Sequence, residues 1–256
     1  MMNEANPLPA EVLQLLRELE PVFAAHEIDF YLVGAVARDL HLSGAARSMR
    51  ATKDVDLAIC LTSEKQFHAV RNDLLATGAF IETRDPIKLI YRQRIEVDLM
   101  PFGAIESAQR TTRLENPRSF IINVPGFREL LPEIIHFQIE GQSLPVCPLE
   151  GVVLLKLIAQ DDRPERTKDS SDIEHIQRVY FDIFFDDIAL QHYSVMELYD
   201  TNIPHYPELV SAHVIGRHLA RTLHDSPELR ARVAHILVKR EGDRWQAMHS
   251  GLEEQR

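Results

Sequence analysis

The sequence predicts a protein of the mixed α/β (α+β) class, in which a small mixed-sheet domain is followed by a helical half. Two observations predict this division. Up to about residue 147, short apolar runs alternate with helical patterns, which is typical of strands and helices packed in one domain. From Pro148 onward, apolar residues recur at helical spacing. We therefore expect a sheet-containing domain over residues 1–147 and a helical domain over residues 148–256.

The elements of the first half follow from apolar periodicity and from turn residues. Helices are expected at 9–25, 35–42 and 63–75. Strands are expected at 30–33, 54–59, 79–83, 87–92, 95–100 and 120–124, with further strand structure over 137–146. Pro101 and Gly103 are expected to close the strand that ends at Met100. In the second half, helices are expected at 149–159, 169–180 and 187–200, with two more after Pro207 and Pro227.

The composition is that of a soluble globular chain, with 45% hydrophobic and 26% charged residues. No apolar run is long enough to cross a bilayer, and the N-terminus lacks the basic and apolar regions of a secretory signal. Cys60 and Cys147 lie far apart in apolar surroundings, which favours reduced thiols. These features predict a cytoplasmic protein with no membrane partner.

The net charge and the spacing of the histidines limit the kinds of ligand that this protein can bind. The net charge of −11 argues against a broad duplex-binding surface, although one local basic groove would suffice for a nucleic-acid end. The twelve histidines are scattered, and there is no HExxH motif or cysteine pair. Zinc therefore has little support, and His213, His218 and His224 are expected to be ordinary helix residues.

Two aspartates on one predicted strand indicate a cation site. Asp54 and Asp56 stand two residues apart, so their side chains point to the same face. Two like charges in a partly apolar strand are costly unless a cation neutralises them. Mg²⁺ suits this chemistry because it binds a few carboxylates and completes its shell with water and phosphate oxygens, and Mn²⁺ is an alternative.

A third aspartate completes the predicted site. Asp98 lies in the strand 95–100, and it can join Asp54 and Asp56 if the two strands are neighbours. Such a cluster can hold two ions, and Asp98 is the candidate base for an attacking hydroxyl. Glu96 is interpreted as a solvated strand residue.

A glycine turn precedes these acids. The strand 30–33 runs through Gly34 into a helix that opens at Ala35, where backbone N–H groups can hold phosphate. Arg38 and Lys53, together with Arg47 and Arg50, lie between this turn and the acids. They can supply positive charge to a triphosphate or simply occupy an exposed surface.

The ordered set of motifs resembles the AbiEii-type nucleotidyltransferases of the DNA polymerase β-like superfamily. The resemblance covers about residues 30 to 180. The matching segments are 32–35, 50–57, 97–102 and 154–159, followed by Arg163 and by Lys168-Asp169 with Asp172 and Ile173.

The resemblance implies an NTP-dependent enzyme that transfers a nucleoside monophosphate to an acceptor hydroxyl and releases pyrophosphate. It implies metal binding by Asp54, Asp56 and Asp98, and catalytic roles for Asp98, Lys156 and Asp172. The predicted nucleotide-binding residues are Gly34, Ala35, Arg38, Lys53, Lys156 and Asp169, of which the resemblance implies Lys156 and Asp169. By themselves, Lys156 is typical of a lysine that extends from an apolar helix, and the two later aspartates are typical of a helix N-terminus.

The resemblance also suggests partners, and it leaves alternatives open. The family includes toxins of toxin–antitoxin pairs, some of which extend tRNA 3′ ends, so a tRNA or other RNA end and a cognate antitoxin are implied. Ala35 departs from the Gly-Ser or Gly-Gly that is usual at this turn. The segment 34–39 is also similar to the Gly-Gly-x-x-Arg-Asp element of tRNA CCA-adding enzymes. Nucleotide transfer to a small molecule or a protein side chain, and a non-catalytic antitoxin or binding relative, are the alternatives.

Overall fold

The computed structural model describes residues 8–43, 54–115, 119–165 and 167–254. The chain divides into two compact units, Met1–Pro148 and Leu149–Arg256. The first contains the sheet and the second is helical, so the predicted fold class is confirmed. None of the described helices has the length and apolar character needed to span a membrane. Both cysteines carry free thiols.

The first unit is built on a mixed sheet of seven strands. Its strands in chain order are β1 Phe30–Val33, β2 Asp54–Leu61, β3 Phe80–Glu82, β4 Lys88–Tyr91, β5 Ile95–Gly103, β8 Ile135–Ile139 and β9 Gln142–Val146. The spatial order is β3-β4-β5-β2-β1-β9-β8. β2 pairs with β5 in parallel, β1 pairs with β9 in parallel, and the other pairs are antiparallel. β2 and β5 are therefore central strands.

Helices and a separate hairpin complete this unit. They are α1 Ala10–Ala25, α2 Gly34–Leu42, α3 Glu64–Ala76 and α4 Phe127–Leu130, with a 3-10 turn at Leu131–Glu133 and a hairpin of β6 Thr111–Leu114 and β7 Phe120–Asn123. α1 buries one apolar face that includes Leu15, Leu16 and Leu19. Ser63 caps α3, because its hydroxyl accepts a hydrogen bond from the Gln66 N–H. β6 and α4 were not predicted, since four residues carry too little periodicity.

The strand β5 does not end at Met100, as the sequence predicts, but continues to Gly103. Its pairing with β4 stops at Asp98, so Pro101 has a sheet neighbour only in β2 among the described strands. The Pro101 carbonyl accepts a hydrogen bond from the Thr112 hydroxyl at 2.8 Å, on the side away from the ladder. The missing proline N–H therefore costs no ladder bond.

The second unit contains seven helices over its described residues. They are α5 Leu149–Asp162, α6 Thr167–Ile183, α7 Phe185–Gln191, α8 Tyr193–Met196, α9 Tyr206–Thr222, α10 Pro227–Val238 and α11 Asp243–Glu253. The prediction of a single helix over 187–200 is wrong, because the helix is interrupted at His192, a residue that is only 5% exposed. α11 was not predicted, although Trp245, Met248 and Leu252 have helical spacing and are buried.

Two glycines allow α9 and α11 to pack with their backbones in contact. A Cβ at Gly216 of α9 would lie 2.1 Å from the Met248 carbonyl oxygen, and a Cβ at Gly251 of α11 would lie 2.0 Å from the His213 carbonyl oxygen. These distances are far below van der Waals contact, and the obstructing atoms belong to the backbone. The helices can reach this separation only because both positions are glycine.

Gly251→Ala should lower the free energy of unfolding by about 2 kcal/mol or more, because overpacking against backbone forces the helices apart. The higher helix propensity of alanine, about 1 kcal/mol, opposes this loss but does not cancel it. Urea denaturation followed by circular dichroism measures the change. The control is Ser250→Ala, at an exposed position of the same helix, which should change stability by less than about 0.5 kcal/mol. Equal stability of the two variants would contradict the close packing.

Candidate active site

The parallel pairing of β2 and β5 places four acidic side chains on one face of the sheet. The register pairs Asp54 with Glu96 and Asp56 with Asp98. Because side chains alternate along a strand, all four point the same way. The intervening Val55 and its neighbours in the register face the core on the other side. Burial of these apolar residues fixes which face carries the acids.

The glycine turn lies against this acidic face. β1 is antiparallel to β2, and its last residue, Val33, is opposite Asp56. Gly34 follows with a φ of +64°, and a Cβ there would lie 2.1 Å from Asp56 Oδ2. α2 begins at Gly34, and Val33 supplies no side-chain cap to its first turn. The structure thus joins a helix N-terminus, which favours anions, to the carboxylate pair Asp56 and Asp98.

Asp98 occupies a partly desolvated environment. Burial raises the pKa of its carboxyl above the usual range, and the positive charge of Lys88 opposes that rise only in part. The Lys88 Nζ atom lies 3.5 Å from Asp98 Oδ1 and donates a hydrogen bond to Glu96. Asp98 Oδ1 is shielded from solvent and accepts no hydrogen bond from the described residues.

Lys88 is a site residue that the sequence analysis missed. It lies on β4 directly opposite Asp98 in the antiparallel register of β4 and β5. Its hydrogen bond to Glu96 raises the pKa of the Lys88 amine. The available signal was the short turn between the strands predicted at 87–92 and 95–100, which favours a hairpin and so places position 88 beside position 98. Glu96, interpreted as a solvated strand residue, keeps 47% of its side chain exposed and also binds this lysine.

The arrangement fits a cation that prefers oxygen ligands. A buried carboxylate oxygen without a hydrogen-bond donor is unfavourable, and a divalent ion at Asp98 would remove that cost. Among the described residues, however, only Asp187, His192 and His218 form a group of three whose ligand atoms all lie within 4.8 Å of one another. Asp54, Asp56 and Asp98 do not meet this spacing, so joint coordination of an ion by all three stays a prediction.

The remaining predicted nucleotide ligands of the first unit are placed differently. Ala35 lies in the first turn of α2, half-buried. Arg38 lies one turn further on, where its guanidinium binds Asp39 at 2.7 Å and is only 15% exposed. Lys53, like Arg47 and Arg50, lies outside the described residues. Phosphate binding by Ala35, Arg38 and Lys53 therefore stays a prediction.

In the second unit, Lys156 of α5 binds two aspartates at the start of α6. Its Nζ atom lies 2.9 Å from Asp169 Oδ1 and 2.7 Å from Asp172 Oδ2. The Lys156 side chain is 14% exposed and that of Asp169 only 5%. The structure thus brings together the three residues that the sequence singles out in this half. The pairing stabilises the contact of α5 with α6, whereas a role toward nucleotide stays a prediction.

Comparisons with known proteins give distant similarities. No protein-family model matches the chain, and no curated protein matches it. Among solved structures, an antigenic nucleotidyltransferase-like protein from Paracoccidioides brasiliensis is 18% identical, with 88% of this chain and 94% of that chain covered and a TM-score of 0.41. Antibiotic-resistance factor ANT(2'')-Ia is 13% identical, with 85% and 98% covered and a TM-score of 0.39.

A third structure, lincosamide antibiotic adenylyltransferase LnuA with lincomycin bound, is 14% identical, with 66% and 96% covered and a TM-score of 0.36. One match is thus described as nucleotidyltransferase-like and one as an adenylyltransferase. At these identities and TM-scores, the similarities establish neither a family nor an activity for this chain.

Gly34→Ala should destabilise the protein more than Gly78→Ala. Both glycines have positive φ, +64° and +75°, so each alanine costs about 1–2 kcal/mol in backbone strain. A Cβ at Gly78 would meet open space, whereas a Cβ at Gly34 would meet Asp56. The added clash should cost Gly34→Ala at least about 1 kcal/mol beyond the control. Urea denaturation of both variants measures the difference. Equal losses would contradict the close approach of Gly34 to Asp56.

Lys156→Met should lower the free energy of unfolding by about 3 kcal/mol, because it leaves the buried Asp169 carboxylate without the lysine cation. The double variant Lys156→Met/Asp169→Asn should recover most of this loss, since it removes both charges. Lys168→Met, at an exposed position beside Asp169, is the matched control and should be nearly neutral. Thermal and urea melts measure all three. A double variant as unstable as the single one would show that Lys156 does not neutralise Asp169.

Proposed function

We infer that this protein is a metal-dependent nucleotidyltransferase, which moves a nucleoside monophosphate from an NTP to an acceptor hydroxyl and releases pyrophosphate. The observation that supports the proposal is the junction of the α2 N-terminus with the carboxylate face. Gly34 lies against Asp56, and Asp56 is directly opposite Asp98. Phosphoryl transfer requires groups that bind the phosphates and groups that bind the metal ion, and the two must lie close together. Here the backbone N–H groups of α2 would be the first and the carboxylates the second.

The backbone at the turn would hold the phosphates. The first N–H groups of α2 point out of the helix end, and Gly34 has no side chain to block an approaching phosphate. Ala35 supplies no hydroxyl, so binding here would depend on these N–H groups. Positioning of the reacting phosphate, rather than covalent chemistry by the protein, would then provide most of the rate.

The carboxylates would supply the second feature. Asp54, Asp56 and Asp98 would hold Mg²⁺, with Mn²⁺ as a substitute. When bound, the ion neutralises phosphate charge and favours deprotonation of the acceptor hydroxyl. Asp98 would accept the hydroxyl proton, because burial raises the pKa of its carboxyl and so makes its carboxylate a stronger base. Lys88 would hold Glu96 and Asp98 in place before the ion binds.

Two classes of acceptor compete. The net charge of −11 favours a small molecule or a protein side chain over an extended nucleic acid. The resemblance to AbiEii-type enzymes favours a tRNA 3′ end or another RNA end, and with it a toxin role and an antitoxin partner. Incubation with each labelled triphosphate, Mg²⁺ and total RNA, protein or small metabolites would identify the pool that takes up label. Absence of label from every pool would favour the non-catalytic alternative.

Asp56→Ala should abolish label transfer while leaving stability in metal-free buffer unchanged or raised. A carboxylate at a helix N-terminus stabilises by about 0.3–1 kcal/mol. Asp56 and Asp98 are cross-strand neighbours, for which a spacing of about 5 Å is usual. Their repulsion opposes this by about 1–3 kcal/mol for effective dielectric constants from about 80 down to 20. With Mg²⁺ at about 100 times its Kd, the wild type should gain about 2.7 kcal/mol by linkage, and the variant much less.

Thermal melts with and without Mg²⁺, run beside the labelled-nucleotide assay, test this expectation. Asp98→Asn should behave like Asp56→Ala. Glu82→Gln, which alters an exposed acid on the edge strand β3, is the control and should keep both the transfer and the Mg²⁺ response of the wild type. An Asp56→Ala protein that melts much earlier without metal, yet still transfers nucleotide, would show that Asp56 is a structural carboxylate.

A further inference from the structure

The second unit contains a cluster of metal-ligating side chains separate from the carboxylate face. Asp187 lies on α7, His192 at the break between α7 and α8, and His218 on α9. One ligand atom from each lies within 4.8 Å of the other two. Two neighbouring segments and the more distant His218 thus bring two imidazoles and one carboxylate together in this unit.

The cluster lies in a largely dehydrated environment. His192 is 5% exposed and the His218 side chain 14%, and their rings are 5.2 Å apart in an edge-to-face arrangement. Glu150 Oε1 lies 3.9 Å from His218 Nε2 and accepts a hydrogen bond from the Tyr180 hydroxyl. Burial, Glu150 and Asp187 together raise the Tyr180 pKa well above its usual value, so this hydroxyl stays neutral and keeps donating.

A cavity of about 490 Å³ opens beside the two histidines. His192 and His218 both contribute to its wall, and the other lining residues include Arg217, Arg221 and His224. An ion held by the cluster would therefore face open space on one side. That space can admit water or an anionic ligand as a fourth ligand, while Glu254, which also lines the cavity, pairs with Arg217 and offsets its positive charge.

We propose that Asp187, His192 and His218 form a binding site for a divalent transition metal of the zinc class. Two imidazole nitrogens and one carboxylate oxygen are a typical donor set for three-ligand Zn²⁺ sites that keep an open position. Magnesium does not suit this set, because it prefers oxygen ligands. A tetrahedral shell with bonds of about 2.0–2.2 Å needs ligand atoms about 3.3–3.6 Å apart. Side-chain movements of about 1 Å would reach that spacing from the observed one.

Acidic groups outnumber basic ones among the charges that act on Tyr180 beside the cluster, which favours a cation there. Asp187 and Glu150 are negative, and Arg221 is the positive group that acts on the same tyrosine, Tyr180. The Gln191 amide also donates to Asp187 Oδ1 at 2.5 Å, which orients the carboxylate. A ligand oriented by a second-shell hydrogen bond is characteristic of metal sites. The proposal is independent of nucleotidyl transfer by the first unit.

Zinc titration of the chelator-treated full chain tests the site. The wild type should bind one equivalent of Zn²⁺ tightly and melt at a higher temperature in its presence. His218→Ala should weaken this binding by more than about 100-fold, beyond the effect of second-shell changes. Asp187→Asn should also weaken it. Because Asp187 is only half-buried, this variant should fold normally, so it tests the site even if the histidine variants misfold. Circular dichroism of each variant reports its folding.

Two controls separate this site from other binding. His224→Ala changes a histidine of the same cavity outside the cluster and should bind Zn²⁺ as the wild type does. Asp56→Ala, at the carboxylate face, should also retain the zinc equivalent. Co²⁺ bound to the wild type should show the intense visible absorption of a four- or five-coordinate ion. Undiminished zinc binding in His218→Ala and Asp187→Asn, its loss in Asp56→Ala, or a purely six-coordinate Co²⁺ spectrum would overturn the proposal.

Discussion

The register between β2 and β5 is the constraint on which the candidate active site depends. It places Asp56 opposite Asp98 in the middle of the sheet, where a shift of either strand by one residue would turn that strand's carboxylate into the core. Core burial of Val55, Leu57, Val97 and Leu99 fixes that register. The antiparallel β1 then brings Gly34 to Asp56. Apolar packing on one face thus decides the chemistry available on the other.

This arrangement concentrates negative charge, which is unfavourable for folding. Four acids share one face, and the structure offsets part of the cost with Lys88, which binds Glu96 and lies 3.5 Å from Asp98. The compensation is incomplete, because burial still raises the pKa of Asp98 and one of its oxygens takes no hydrogen bond from the described residues. Residual strain of this kind is common at functional sites, where a ligand supplies the missing interaction.

In the second unit, a lysine binds directly to the clustered acidic side chains. Lys156 binds two aspartates and so offsets part of their negative charge with a cation from its own unit. Nearby in the same unit, backbone contact through Gly216 and Gly251 sets the separation of α9 and α11. α9 also carries His218, which meets His192 and Asp187 at the cavity wall. One helical unit therefore contains both an ion-paired group, in which a lysine offsets acidic charge, and a candidate metal-ligand cluster.

The sequence by itself determined the fold class, most of the helices and strands, and the alternation that sets Asp54, Asp56 and Asp98 apart from core residues. These properties are local, since periodicity and turn residues encode them within a few positions. Only the tertiary structure decided which strands are neighbours, and hence that Lys88 joins the carboxylates and that Gly34 touches Asp56. It alone brought together His192 and His218, 26 positions apart in the chain. Such proximity depends on long-range packing, which the spacing of residues along one chain does not specify.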